Sequence, residues 1–178
     1  MCQYIRWGFK SSDTIRVYRL TPSVSFEHKI FSPNNLRQLP RPLVFTNGCF
    51  DILHRGHVTY LAQAKNIGVA LIVAVNSDAS IKRLNKGTDR PINKLEDRLS
   101  MLAALESVDA VTWFDSDTPL DLILKFRPDF LVKGGDWQPE QIVGAKEVIS
   151  WGGQVHSIPF LFDRSTTSIL ARIRQLPK

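Results

Sequence analysis

Two histidines, His54 and His57, are the residues whose type and spacing suggest chemistry most directly. They occur in the stretch TNGCFDILHRGH, which follows a short apolar strand and opens a helical pattern. Residues at positions i and i+3 lie on one face of a helix. The first turn of a helix carries unpaired backbone N–H groups and the positive end of the helix dipole, so it attracts phosphate groups. Gly56, between the histidines, would keep the approach open.

The spacing alone leaves three interpretations open. The histidines can donate hydrogen bonds to a phosphate group. With the neighbouring Asp51 they could instead bind a metal ion, since imidazole and carboxylate are common metal ligands. They could also belong to an ordinary exposed helix start. The surrounding sequence has to decide between a phosphate site, a metal site and a structural turn.

The chain around this stretch alternates between apolar strands and amphipathic helices. Residues 69–75, VALIVAV, form an unbroken apolar run, which is typical of a strand covered on both faces of a parallel sheet. The alternation predicts an α/β fold, a Rossmann-like five-stranded parallel sheet with right-handed crossovers and helices on both faces. Strands are expected at 43–45, 69–75, 110–114, 130–132 and 155–159, and helices at 54–66, 79–84, 94–108, 115–126, 139–151 and 165–174.

Polar clusters follow four of the predicted strands, and they read TNG, NSD, KGGDW and RSTTS. Ligands of open parallel sheets bind beyond the carboxyl ends of the strands, so these clusters predict a binding crevice at one edge of the sheet. Lys133 directly follows a strand, and the glycines after it permit close approach to the backbone. Trp137 either packs on a ligand or anchors its own loop. Ser165 either helps to bind an anion or only caps the last helix.

Composition and charge exclude several classes of protein. The 178 residues suit one domain, predicted to span 28–178 after a basic extension at 1–27. Seven of the 23 Lys and Arg residues but only two of the 17 acidic residues lie in the first 41 positions, so the remaining body is nearly neutral and is not expected to bind nucleic acid. No apolar run approaches the roughly 18 residues of a membrane span. The two cysteines form no CxxC pair, which favours a reducing cytoplasm over a disulfide scaffold or a structural zinc site.

The string GCFDILHRGH closely resembles the GxFDxxHxGH signature of the cytidylyltransferase-like nucleotidyltransferases. From about residue 28 to 175, the segments VNSD, RPIN with LEDR, LAALESVD, LVKGGDW and STT are similar to those of the bacterial heptose 1-phosphate adenylyltransferases. This resemblance implies an enzyme that joins ATP and D-glycero-β-D-manno-heptose 1-phosphate into ADP-heptose and pyrophosphate for lipopolysaccharide inner-core synthesis. It also implies Mg²⁺ held by substrate phosphates and water rather than by dedicated protein ligands. A homodimer with small-molecule substrates is expected.

The resemblance implies roles for individual residues. His54 and His57 would contact the α-phosphate of ATP. Lys86 matches a phosphate-contacting lysine of related enzymes, although a solvated loop charge is the alternative. Arg98 matches an arginine of the catalytic set, although pairing with Glu96 or Asp97 on the helix surface is the alternative. The other expected nucleotide-binding residues are Thr46, Asn47, Gly48, Cys49, Phe50, Gly56, Asn76, Asp78, Lys133, Gly134, Asp136, Ser165, Thr166 and Thr167, and the expected substrate-binding residues are Asp51, Arg90 and Trp137.

Two alternative functions remain at this point. One is a cytidylyltransferase that acts on a small alcohol phosphate such as glycerol 3-phosphate. However, the cytidylyltransferases carry RTEGIST where this chain reads FLFDRST, which leaves the role of Arg164 open. The other is a non-catalytic nucleotide- or RNA-binding module, suggested by the isoelectric point near 9.5. Two roles are also open for Asp51. It either contacts the substrate or accepts hydrogen bonds that orient the turn.

Overall fold

The computed structural model describes residues 26–35, 38–84, 89–162 and 164–176. Lys86 lies outside the described residues, and so does nearly all of the expected extension at 1–27. The boundary between that extension and a domain at 28–178 therefore stays a prediction.

The chain forms a five-stranded parallel sheet, which confirms the predicted fold class. The strands are β1 (Leu43–Gly48), β2 (Ala70–Asn76), β3 (Ala110–Phe114), β4 (Phe130–Gly134) and β5 (Gln154–Ile158). Their spatial order is β3-β2-β1-β4-β5, so β2 and β3 lie on one side of the central strand β1, and β4 and β5 lie on the other side. The switch between β1 and β4 opens a crevice at the carboxyl ends of these two strands.

Helices cover both faces of the sheet because side chains alternate along each strand. The helices are α1 (Arg55–Lys65), α2 (Asp78–Arg83), α3 (Leu95–Ala103), α4 (Leu120–Phe126), α5 (Ala145–Ser150) and α6 (Thr166–Arg174). Val73 of β2 packs into one core with Leu61 of α1 and Leu102 of α3. Its neighbour Ile72 faces the other core, formed with α4 and α5. All these core residues are essentially inaccessible to solvent.

Gly144 interrupts the helix expected at 139–151. The segment instead forms a 3₁₀ turn at Pro139–Gln141, and α5 begins only at Ala145. Gly144 has a φ of 90°, and a Cβ atom there would lie 2.6 Å from Cδ1 of Ile123. A side chain at this position would therefore clash with α4, and the left-handed backbone breaks the helix.

Two other predicted helices are shorter than expected. α3 ends at Ala103 rather than near residue 108, because the chain turns to place Asp109 beside β2. The Asp109 carboxylate accepts hydrogen bonds from Leu71 N–H and Lys65 Nζ, both at 2.7 Å. α4 begins at Leu120 rather than at residue 115 and has no side-chain cap. Residues 115–119 form a loop instead, and this loop reaches the site described below.

Candidate active site

A cavity of about 420 Å³ lies at the carboxyl ends of the strands, where the switch in strand order predicts a ligand site. Nine of the sequence-predicted residues line it, namely Asn47, Gly48, Cys49, Phe50, His57, Asn76, Lys133, Gly134 and Trp137. The sequence analysis missed other lining residues, including Tyr60, Leu84, Asp117, Thr118, Gln141 and Phe160. The tertiary structure thus brings the ends of β1, β2, β3 and β4 and the loop after β5 to one cavity.

The turn between β1 and α1 shapes the floor of this cavity. Phe50 is buried and has a φ of 48°, a left-handed conformation that is uncommon for a residue with a bulky side chain. Its ring folds back over Gly48, where a Cβ atom would lie 3.0 Å from the ring. A side chain at Gly48 would press on the ring, so the glycine favours this close approach.

The two histidines lie together at the start of α1. Their rings stack with a centroid separation of 3.8 Å, and the His57 ring also contacts Phe50 at 5.2 Å. His54 is the N-cap residue and has an extended backbone. A Cβ atom on Gly56 would lie 3.0 Å from Nδ1 of His54, so this glycine makes room for the stacked ring. His57 lines the cavity, and His54 supports it from behind.

Burial keeps both imidazoles neutral at pH 7. Burial, with a smaller effect of the nearby His54, lowers the pKa of His57 to about 4, while the backbone of Ile52 opposes the shift. Burial also lowers the pKa of His54. A neutral imidazole donates one hydrogen bond and carries no positive charge. The pair can therefore orient an anion by hydrogen bonding, together with the N–H groups at the start of α1.

Lys133 places a positive charge in the same cavity. It lies in the last part of β4, and its Nζ donates to Asn47 on the neighbouring strand, at 3.4 Å to the backbone oxygen and 3.3 Å to Oδ1. The ammonium group therefore lies at the switch between β1 and β4. The direction of β4 aims it toward the cavity, as the sequence analysis predicts.

Two large aromatic side chains border the cavity near β4 and β5. Trp137 is 46% exposed, and its indole N–H donates to the Gly134 oxygen at 3.2 Å. It thus anchors its loop, as one of the two interpretations predicts, and it also lines the cavity. Its packing on a ligand stays a prediction. Phe160 is 42% exposed and lies against Gly134, where a Cβ atom would be 2.8 Å from its ring. Phe160 also meets the rings of His57 and Tyr60 edge to face.

Arg98 lies beneath the cavity, and its side chain is completely buried. It donates to the backbone oxygens of Cys49 at 2.7 Å and Asn76 at 2.8 Å, and to the Asp78 carboxylate at 2.7 Å. The alternative of surface pairing with neighbouring acids on α3 is therefore wrong. The predicted catalytic contact does not fit this geometry either, because the guanidinium group ties together the ends of β1 and β2. Arg98 positions cavity residues rather than facing a ligand.

Asp51 is also buried, and its partner is Arg90. The Asp51 carboxylate accepts hydrogen bonds from the backbone N–H groups of Ile92, at 2.8 Å, and Asn93, at 2.9 Å. The expectation that Asp51 and Arg90 bind substrate does not fit this geometry, since their charges are committed to each other and neither residue lines the cavity. Asp51 instead orients the turn by joining it to the segment before α3.

The start of α6 does not line the cavity, although the segment before it contacts α1. Ser165 forms a capping box with Ser168, which confirms the capping role, and Thr166 is buried. Just before α6, the Phe162 ring lies 3.7 Å from the guanidinium carbon of Arg55. The described residues that were predicted for the site but lie outside the cavity lining are Thr46, Asp51, His54, Gly56, Asp78, Arg90, Arg98, Asp136, Ser165, Thr166 and Thr167.

Within the described ranges, no group of three or more His, Cys, Asp or Glu side chains could hold a metal ion. Asp117 is the only carboxylate among the described residues that line the cavity. In the same part of the chain, no helix is long and apolar enough to cross a membrane.

Comparisons with known proteins identify similar sequences and folds. The model of a family described as cytidylyltransferase-like matches residues 45–172. The D-beta-D-heptose 1-phosphate adenylyltransferase of Bordetella bronchiseptica is 56% identical over 159 residues, which covers 86% of this chain and 98% of that protein. The Bifunctional protein HldE of Escherichia coli O139:H28 is 55% identical over 139 residues, which covers 78% of this chain but only 29% of that protein.

One solved structure also has a similar fold. The lipopolysaccharide core biosynthesis protein from Thermoplasma volcanium matches with a TM-score of 0.54 and 26% identity. The match covers 66% of this chain and 94% of that chain.

Proposed function

The chain belongs to the cytidylyltransferase-like family, and on this premise we propose that it transfers the adenylyl group of ATP to a heptose 1-phosphate. The products are ADP-heptose and pyrophosphate, and the reaction supplies a precursor of the lipopolysaccharide inner core. The similarity to a heptose 1-phosphate adenylyltransferase supports this choice, because it extends over 98% of that protein.

The observation that carries this function is the position of His57, which faces the cavity from the start of α1. In nucleotidyl transfer, an oxygen of the sugar phosphate attacks the α-phosphorus of ATP. The bond from that phosphorus to the bridging oxygen breaks, and the pyrophosphate leaves with the electron pair. The attacking oxygen is already ionised at neutral pH, so the enzyme needs no general base. Positioning and stabilisation of charge supply the rate acceleration.

The cavity offers suitable groups for each of these tasks. The neutral His57 imidazole donates a hydrogen bond to the α-phosphate, and Lys133 adds a positive charge from β4. His54 stacks on His57 and holds its ring in place. Arg98 fixes the backbone of Cys49 and Asn76, which line the cavity from two adjacent strands. We assign Arg98 to positioning and His57 to direct contact with the reacting phosphate.

Mg²⁺ fits this donor set as a partner of the substrate rather than as a resident of the protein. The cavity presents amide, imidazole and ammonium groups, together with the carboxylate of Asp117. Mg²⁺ held mainly by the substrate phosphates and water would supply neutralisation of the negative charge on the departing pyrophosphate.

Release of pyrophosphate, measured over a grid of nucleoside triphosphates and acceptor phosphates, tests the proposed function. We expect the highest kcat/KM with ATP and D-glycero-β-D-manno-heptose 1-phosphate. A preference for CTP with glycerol 3-phosphate would overturn this proposal in favour of the cytidylyltransferase alternative. Strong, salt-sensitive RNA binding without turnover would instead favour the non-catalytic module.

We also propose that the enzyme works in the cytoplasm as a homodimer. The cytoplasmic location agrees with a chain that has two cysteines and no CxxC pair, and with ATP as the substrate. Light scattering coupled to size-exclusion chromatography would test the dimer, since a mass near the 20.2 kDa of one chain would refute it.

A further inference from the structure

The cavity has two chemically different ends, which lie on opposite sides of β1. The first end follows β4 and β5 and contains Lys133, Gly134, Trp137 and Phe160. The second end follows β2 and β3 and contains Asn76, Leu84, Asp117 and Thr118. The order β3-β2-β1-β4-β5 separates the two groups, and His57 enters the cavity from the helix that follows β1.

The first end suits a nucleoside. Trp137 and Phe160 present half-exposed ring surfaces beside the backbone of Gly134, and a flat aromatic base packs well on such surfaces. The α-phosphate of the same nucleotide lies at His57 under the proposed function. The acceptor must reach that phosphorus from a different direction, which leaves the second end for its sugar. We call the second end, formed by Asn76, Leu84, Asp117 and Thr118, the acceptor end.

Asp117 gives the acceptor end its charge. Its Oδ1 accepts a hydrogen bond from Nε of Arg83 at 2.8 Å, and its side chain is 78% exposed. A carboxylate has about four lone-pair directions, so one arginine contact leaves capacity for further donors. A carboxylate repels a phosphate but accepts charge-assisted hydrogen bonds from hydroxyl groups. An acceptor would therefore turn its phosphate toward His57 and its sugar hydroxyls toward Asp117.

The loop that carries Asp117 is held by contacts to α2 and its N-cap. The Arg83 guanidinium also donates to the backbone oxygen of Asp115. The hydroxyl of Ser77, the N-cap of α2, donates to the Asp115 side chain. Ser80 donates to the backbone oxygen of Ser116 at 3.1 Å. These contacts hold the position of the loop before any ligand binds, which is what selective recognition of a polyhydroxylated sugar requires.

We propose that Asp117, held by Arg83, is a specificity-determining residue that accepts hydrogen bonds from hydroxyl groups of the acceptor sugar. This inference rests on the proposed function, because it needs a sugar phosphate as the acceptor. Asp117 touches the sugar, whereas Arg83 acts through Asp117 as a positioning residue.

The test compares Asp117→Asn with the matched control Asp115→Asn. Both variants remove one negative charge from the same loop, but Asp115 does not line the cavity. Asparagine at position 115 keeps a side-chain oxygen that can accept the Ser77 hydroxyl, so this control preserves the contact that holds the loop. In Asp117→Asn, Arg83 is expected to donate to the amide oxygen. The second carboxylate oxygen, which would accept from the sugar, is then replaced by an NH₂ group that can only donate. We expect the KM for the sugar phosphate to rise roughly tenfold, with the KM for ATP and the kcat changed less than threefold. Asp115→Asn should leave all three values unchanged within twofold.

A second measurement uses an acceptor that lacks one sugar hydroxyl. Wild-type enzyme should discriminate against one of a series of deoxy-sugar phosphates, and Asp117→Asn should lose that discrimination. Asp117→Ala should behave in the same way, and Arg83→Gln should show a smaller rise in the KM for the sugar phosphate. Because the Arg83–Asp117 pair is exposed, these variants should keep the melting temperature of the wild type.

Several results would overturn the assignment. An unchanged KM for the sugar phosphate in Asp117→Asn would do so, and so would an equal rise in the Asp115→Asn control. A higher Mg²⁺ requirement or a higher KM for ATP would show that Asp117 serves the metal and nucleotide instead. Wild-type enzyme that turns over no sugar phosphate refutes the proposed function itself, while wild-type turnover with an unaffected Asp117→Asn variant refutes only this inference.

Discussion

Replacing His57 with alanine should lower kcat by about 10²- to 10³-fold, the usual cost of losing one preorganised donor to a reacting oxyanion. The size of this loss follows from the environment of the ring. Burial and the neighbouring His54 lower the pKa of His57 to about 4, so at pH 7 the side chain offers one N–H donor and no charge. Loss of a donor, rather than loss of a full charge or of a general base, sets the expected magnitude.

The KM for ATP should change much less than kcat in His57→Ala. In the proposed mechanism the donor acts on the α-phosphate as charge redistributes there, so the groups proposed to bind the nucleotide, namely Lys133, the aromatic rings and the N–H groups at the start of α1, would be unaffected. Steady-state release of pyrophosphate gives kcat and KM, and circular dichroism checks the fold. Val58→Ala is the matched control, because Val58 is the next residue of α1, is 42% exposed and does not line the cavity.

His57→Gln separates the donor from the shape of the ring. Glutamine offers an N–H donor of comparable reach without a titratable group, so this variant should recover part of the lost kcat. A kcat for His57→Ala within threefold of wild type would refute the reasoning, because it would show that the reacting phosphate does not contact His57 at the start of α1. An equal loss in Val58→Ala would point to a general disturbance of the helix instead.

The other predictions concern stability. Arg98→Met should lower the free energy of unfolding by about 3–5 kcal/mol in urea titrations, because it leaves the carbonyl oxygens of Cys49 and Asn76 and the Asp78 carboxylate without their donor. A loss under 1 kcal/mol would contradict this account. Gly144→Ala should cost about 1–3 kcal/mol more than Gly152→Ala, since both glycines have a φ near 90° but only the Cβ at position 144 meets Ile123; equal losses would show that backbone strain alone matters. The pKa of His57 is lower in the folded state than its ordinary value of 6.5, so neutral His57 contributes stability that is complete above about pH 6.5 and is lost as the pH falls toward about 4. His57→Gln should flatten this part of the curve of unfolding free energy against pH. An unchanged curve would contradict the shift in pKa.

The local sequence was enough to predict the five strands and the start of α1. β3 occupies 110–114 as expected, because a short apolar strand between two polar turns has one plausible register. α1 begins one residue after His54 and ends at Lys65, in agreement with the stop signal at Gly68. Repeated alternation of strands and helices predicted the parallel sheet, since a parallel connection needs a crossover. These features depend on residues that are close together along the chain.

Partners that are distant along the chain escaped the sequence analysis. Arg98 was assigned to catalysis, yet its contacts lie 49 and 22 residues away at Cys49 and Asn76. The break at Gly144 depends on Ile123 of another helix, so the apolar pattern at 139–151 still resembled one continuous helix. Asp117 stood in what looked like a helix start, and only the loop at 115–119 carries it to the cavity.

The sequence by itself determined the class of the fold, and it predicted an anion site at the start of α1 and a ligand crevice at one edge of the sheet. These properties follow from the spacing of apolar residues and from the direction of parallel strands. Both can be read from short segments, and each further segment supports the same conclusion. Only the tertiary structure decided which charged side chains face the cavity and which lie beneath it. That choice separates Lys133, which faces the cavity, from Arg98, which is wholly buried. Arg98 can be buried only where its guanidinium group finds hydrogen-bond acceptors that compensate for its desolvation. Those acceptors come together only when distant strands pack side by side.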